Sequence, residues 1–243
     1  MKRLPEPSKL LPEHGPDLDV AGWTDAEDAN RAAGLELARR AFHVAGDYPD
    51  VLCNVAYVLA YFGEDIATAT TLIDRALELK PSFASGWWRS GWIRLMDGQP
   101  ELAIEHFEIG RRLNPRDILG FALGIGAGYF FARRFEEAKA ALLLALEEGP
   151  GWVPPHRFLA SCYAHLGRLD EARELVRRLR NMTSVVVPRA MYWRNPDDRE
   201  LYLQGLWLAA GEQSSTMASR LGAILAAIVT SGADTLLPMI AAG

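Results

Sequence analysis

The side chains with the most chemical potential lie in two short stretches. His156 and His165 flank Cys162, and Cys162 and His165 are three positions apart, a spacing that puts both on one face of a helix. A zinc or copper centre needs a third and a fourth ligand of suitable type. None follows at local spacing, so these side chains read as packing residues of a helix. The only other cysteine, Cys53, is 109 positions away and no CxxC occurs, which excludes a disulfide framework and a four-thiolate zinc site and fits a reducing, cytoplasmic setting. The second stretch, Phe121 to Phe130, reads FALGIGAGYF and contains GxGxG. A nucleotide-binding loop would need a strand before the glycines, a helix start after them and a later acidic residue. This run lies inside a helical pattern, where small residues allow close approach of a neighbouring helix at some loss of helix propensity. His106, in the triplet EHF, reads as a partly exposed helix position. No catalytic residue, metal or cofactor is expected, and the chain reads as non-enzymatic.

The bulk properties agree. With 243 residues and 49% hydrophobic side chains the chain can bury a substantial core. Its 31 acidic residues outnumber 26 basic ones, for a net charge of −5, which argues against nucleic acid and anionic membranes as partners. The longest uncharged stretch, Ile118 to Ala132, has 15 residues and four glycines, short of the roughly 18–20 needed to span a bilayer, so no membrane span is expected. The opening MKRLPEPSKLLPEHGPDLD lacks the apolar run of a signal peptide, and residues 1–21 read as a flexible leader.

What positions these residues is a repeat. Prolines recur at 81, 115 and 150. Small residues recur at Ala69, Ala103, Ala138 and Ala172, and bulky ones at Ile73, Phe107, Leu142 and Val176. A further column holds Ala76, Gly110, Ala145 and Leu179. All four columns share a step of 34 or 35 residues, with the same one-residue insertion before the third repeat. Such a period means stacked supersecondary units. Small residues let two antiparallel helices approach, a bulky one fills the gap to the next unit, and proline follows a helix that it cannot continue.

This column chemistry resembles the tetratricopeptide repeat (TPR), W-x2-LG-x2-Y, A-x3-F, A-x4-P. Residues 84–117 carry Trp87, Gly91, Ala103, Phe107 and Pro115, with Arg94 departing at the tyrosine column. Residues 119–152 carry Gly126, Tyr129, Ala138, Leu142, Ala145 and Pro150. Residues 50–83 offer Ala69, Ile73, Ala76 and Pro81 after a weaker opening with Cys53 and Tyr57. Residues 153–186 offer Leu159, Ala160, Tyr163, Ala172 and Val176, with no closing proline until Pro188. The expectation is an all-α, right-handed superhelical solenoid of antiparallel helix pairs over residues 22–212. Asp25 to Val44 would form one or two helices of a degenerate leading repeat. A capping helix would follow Asn195 as N-cap and Pro196 as first helical residue, with Asp197 and Asp198 at the positive end of its dipole, and run to about Ala210. Residues 213–243 form an apolar tail with room for one more helix. Charged runs such as Glu136, Glu137 and Lys139, or Arg173, Glu174, Arg177 and Arg178, fall on second helices and read as solvated faces.

In TPR proteins the first helices line a concave groove. The register places Asn54, Val58, Tyr61, Phe62, Trp88, Arg89, Trp92, Leu95, Met96, Leu123, Ala127, Phe130, Phe131, Arg157, Phe158, Ser161, Ala164 and His165 there. Of these, Asn54, Tyr61, Trp88, Arg89, Trp92, Phe130, Phe131 and Arg157 are the candidate binding residues, because aromatic and arginine side chains make binding hot spots. The expected partner is a peptide or protein, with self-association through a solenoid end or the apolar tail as a further expectation. Asn54 alone does not make a carboxylate clamp.

Collinear segments (GWTDAEDANRAAGLELARRAF, LIDRALELKPSFASGWWRSGWIRL, AIEHFEIGRRLNPRD, GRLDEARELVRRL and YWRNPDDRELYLQGLWLAAG) also resemble the C-terminal TPR region of bacterial class III adenylate/guanylate cyclase-like proteins and related winged-helix regulators. That resemblance implies a companion module of a signalling protein, here without its catalytic or DNA-binding domain, since about 21 residues precede it. In the tail, RLGAILAAIV (Arg220 to Val229) resembles the opening strand of the cyclase catalytic domain. Ile228 stands at its metal-binding aspartate, and an isoleucine cannot ligate magnesium, so the stretch reads as a chance match in an alanine-rich terminal helix ahead of a gene-fusion remnant.

Overall fold

Small and bulky side chains alternating at a fixed period force helices into pairs, and ten helices form accordingly among the described residues. The computed structural model describes residues 26–211, apart from 63, 64 and 191. The leader, the tail and Arg220 to Val229 lie outside the described residues. The helices are α1 (Ala26–Ala45), α2 (Pro49–Tyr61), α3 (Ile66–Leu79), α4 (Ala84–Met96), α5 (Pro100–Leu113), α6 (Ile118–Phe131), α7 (Phe135–Glu148), α8 (Val153–His165), α9 (Leu169–Met182) and α10 (Pro196–Ala210). No strand occurs among the described residues. The pairs α2/α3, α4/α5, α6/α7 and α8/α9 are hairpins, each second helix also packs on the next first helix, and α10 packs on α8 and α9. Leu35 and Ala38 of α1 close the other end against Val51, Val55 and Val58 of α2.

Local chemistry sets the boundaries. Helices α3, α5 and α7 end two residues before Pro81, Pro115 and Pro150. Asp65, Asp117 and Asn195 act as N-caps, accepting from the backbone N–H of Thr68, Gly120 and Asp197 at 3.1, 3.1 and 2.9 Å. The linkers 80–83, 114–117 and 149–152 are four residues long, whereas residues 183–195 between α9 and α10 number thirteen.

The small, bulky and third repeat columns are fully or almost fully buried at every position, while the prolines of the remaining column, Pro81, Pro115 and Pro150, are exposed in the linkers. Phe107 shows why glycine is needed beside them. A methyl group on Gly91 would come within 2.6 Å of the Phe107 ring, and one on Gly124 within 2.5 Å. Gly126 meets Leu142 and Gly128 meets Ile104 in the same way, at 2.7 and 2.5 Å. The GxGxG run is thus a surface cut to admit three side chains of α5 and α7. Arg94, in place of the motif tyrosine, is buried and pairs through Nη2 with both carboxylate oxygens of Asp74, at 2.6 and 2.8 Å. Charges on the second helices pair along their own helix, as in Lys139–Glu136, Arg173–Asp170 and Arg177–Glu174. Among the described residues no helix is long and apolar enough to cross a membrane.

Gly124→Val should force Phe107 out of its slot and lower the unfolding free energy by about 1–3 kcal/mol, the usual cost of overpacking. Urea denaturation followed by circular dichroism measures it, and an unchanged midpoint counts against this role for the glycine.

Candidate functional site

The first helices α2, α4, α6 and α8 present an aromatic inner face, and the chain itself covers much of it. Residues 183–195 leave α9, run into the groove and return to start α10. This strap is anchored at four places. Arg157 donates from Nε to the Val186 carbonyl at 3.1 Å and from Nη2 to the Val185 carbonyl. Tyr192 stacks on Tyr61, ring centroids 5.5 Å apart. Trp193, 2% exposed, inserts between Trp92, Phe131 and Phe158, its ring centroid 4.7 Å from that of Phe131. Arg194 donates its backbone N–H to the Met96 carbonyl at 3.1 Å and its Nη2 to the Ala60 carbonyl at 2.6 Å, both near the C-terminal ends of first helices.

The candidate residues divide accordingly. Tyr61, Trp92, Phe131 and Arg157 lie in contact with the strap and are buried. Phe130 is fully buried and reaches Phe158, His165 and Tyr202. At the other end Asn54 and Trp88 are partly exposed, and Trp88 Nε1 donates to the Gly120 carbonyl at 3.2 Å. Arg89, 7% exposed, donates to the Ser85 carbonyl at 3.1 Å, and among the described residues no carboxylate pairs with it. Burial lowers its pKa. The expectation of a groove free to take a partner is therefore corrected at Tyr61, Trp92, Phe131 and Arg157, where Val185, Val186, Tyr192, Trp193 and Arg194 of the linker occupy the space, with α10 beside them. Ser161 Oγ donates to the Tyr202 carbonyl at 3.1 Å, and His165 Nε2 to the Leu201 carbonyl at 2.8 Å, so these two groove positions hold α10.

Tyr192, Trp193 and Arg194 are the groove-contacting residues that the repeat register misses, since they lie between repeats. Two signals point to them: the absent proline after the fourth repeat, and a Tyr-Trp pair where other linkers are short. Three polar atoms of this aromatic cluster, Tyr57 Oη, Trp92 Nε1 and Trp193 Nε1, find no hydrogen-bond partner among the described residues. Burial raises the Tyr57 pKa, opposed by the Arg89 charge.

The residues first singled out for metal chemistry are engaged otherwise. Cys162 Sγ donates to the Phe135 carbonyl at 3.1 Å, and His156 Nδ1 to the Trp152 carbonyl at 2.8 Å. Burial pushes both thiols, Cys53 and Cys162, up to about 12, so they stay protonated at neutral pH. His106 Nδ1 is hydrogen bonded to Ser90 Oγ at 2.9 Å, and its ring meets Trp87 edge-on.

Residues 123–183, covering the last nine residues of α6 and the whole of α7 to α9, match the family described as Tetratricopeptide repeat. Among solved structures, the chain is similar to TTC0263, a thermophilic TPR protein of Thermus thermophilus. The TM-score is 0.57 and the identity 22%, over 74% of this chain and 93% of that one. It is also similar to MamA (41-end) from Desulfovibrio magneticus RS-1, with TM-score 0.53 and 21% identity, over 65% of this chain and 89% of that one. These likenesses show the fold, an all-α, TPR-like helical solenoid, and add nothing to the cyclase-like resemblance. No curated protein matches the chain.

Burial lowers the pKa of His165, partly offset by its bond to the Leu201 carbonyl and reinforced by the Arg133 charge. A histidine that resists protonation only when folded lets the unfolded chain bind the extra proton, so stability falls as pH drops below the ordinary value of 6.5. The melting temperature should therefore decrease between pH 7.5 and 6, and His165→Gln should flatten that slope. An identical slope in calorimetry would remove His165 as a cause.

Proposed function

We propose that this protein is a non-enzymatic interaction scaffold that binds an extended segment of a partner protein in the concave groove of its TPR-like solenoid. One observation carries the reading: the groove already holds an extended segment by the means a peptide site uses. Arginine takes main-chain carbonyls, helix-end carbonyls take a main-chain N–H and a cation, and aromatic rings take aromatic side chains.

Asn54 and Trp88 continue the groove beyond the strap. Arg89 beside them supplies a buried cation for an acidic group on the partner, a pairing that is strong because both groups are shielded from water. A reducing compartment such as the cytoplasm suits a protein whose two cysteines are buried thiols. The companion role beside a cyclase-type domain rests on sequence resemblance and has no structural observation behind it.

The double variant Trp88→Ala, Arg89→Ala should keep its helical circular dichroism and lose at least tenfold in affinity for partners that the wild-type chain captures from a cell extract. Full retention of every captured partner by the folded variant refutes the groove as the binding site.

A further inference from the structure

The connection between α9 and α10 is longer than the fold requires. Three equivalent connections take four residues, and this one takes thirteen. Loops of that length in compact proteins are uncommon and usually functional. The extra length is used to enter the groove, and the fit there is incomplete. Ala190 is held at φ 53°, in the left-handed region that a Cβ disfavours; among the described residues the other non-glycine there is Arg133, in the turn that ends α6. Trp193 fills its slot while its own Nε1, the Nε1 of Trp92 and the hydroxyl of Tyr57 stay without hydrogen-bond partners among the described residues. The described residues of 183–195 form no helix of their own.

We propose that the strap is a displaceable ligand in cis, and that the partner segment competing with it has the same chemistry: an extended chain with two adjacent aromatic residues followed by a cation. This rests on the groove reading above and names what the groove recognises. The first aromatic stacks on Tyr61, as Tyr192 does. The second enters the slot of Trp92, Phe131 and Phe158, as Trp193 does. The cation sits at the Ala60 carbonyl, as Arg194 does, where the C-terminal end of α2 favours positive charge. Asp97 adds negative charge near Arg194, so an acidic residue at this position is repelled. The partner's main-chain carbonyls take the two bonds from Arg157. Because the strap must lift first, the apparent affinity is reduced by the fraction of chains in which the groove is open.

The test uses the full-length protein and a fluorescein-labelled peptide of residues 185–195, with binding read by anisotropy. Trp193→Ala, which loosens the strap, should raise the affinity for the peptide at least tenfold over wild type. Tyr192→Ala provides a second loosened chain should the first not fold. Ala190→Gly relieves the strained backbone, keeps the strap seated and should weaken peptide binding below wild type. A peptide carrying Arg194→Glu should bind the loosened chain at least tenfold more weakly than the unaltered peptide. Equal affinity of folded wild-type and loosened chains overturns the displaceable strap, and equal binding of the Arg194→Glu peptide overturns the stated partner chemistry. If no folded chain binds the peptide while captured partners still depend on Trp88 and Arg89, this inference falls and the groove reading stands.

Discussion

A stack of helix pairs covers its own outer layer well and its inner layer badly. Each second helix packs into the gap between two first helices, so the first helices keep one face that no repeat covers. When that face carries Tyr61, Trp92, Phe131 and Phe158, leaving it in water costs about 25 cal/mol for each Å² of apolar surface. The cover must come from another part of the chain or from another molecule. Here it comes from residues 183–195 and α10, and the long linker, the position of Trp193 and the bonds of Arg157 follow from that requirement.

The same demand for close packing explains the unusual composition of α6. With Gly124, Gly126 and Gly128 admitting Phe107, Leu142 and Ile104, the helix exchanges intrinsic propensity for interhelical contact. Tertiary packing outweighs a loss of about 1 kcal/mol per glycine because solenoid stability is largely a sum over neighbouring interfaces. The buried polar groups obey the complementary rule that hydrogen bonds accompany burial. Arg94 has Asp74, Ser90 has His106 and Ser161 has the Tyr202 carbonyl. Among the described residues six buried side-chain atoms are exceptions. Three of them, Trp92 Nε1, Trp193 Nε1 and Tyr57 Oη, belong to the aromatic cluster of the groove; the others are Thr70 Oγ1, Arg94 Nε and Glu174 Oε2.

Much of this fold is legible in the sequence, because a 34-residue period leaves matching columns at Ala69, Ala103, Ala138 and Ala172, and because Asn195-Pro196-Asp197 is a strong helix start. Asp25 to Val44 is harder to divide, as its apolar residues follow one helical spacing without a motif; it falls within one helix, α1, from Ala26 onward. The groove register brings Tyr61, Trp92 and Phe131 onto one face, since position along a first helix decides direction. It does not show the strap. Tyr192 and Trp193 contact residues some 35 to 131 positions earlier, and no local periodicity encodes a loop that folds back across the repeats. A repeat pattern reports neighbour contacts and is silent about chain that leaves the register.

The division of charge between the two layers follows from the same architecture. On the second helices the charged groups form exposed pairs one turn apart, such as Arg173 with Asp170, which are worth little because water screens them and side-chain entropy opposes them. On the inner face Arg89 and Arg157 are buried, and a buried guanidinium must find oxygen acceptors. Arg157 finds them on the strap, at Val185 and Val186. Arg89 finds one at Ser85 of its own helix. The outer layer therefore keeps the stack hydrated, while the inner layer concentrates its unmet hydrogen-bonding capacity beside the aromatic slot. An arriving segment gains most from that juxtaposition, because apolar burial and charge-assisted hydrogen bonds become available together.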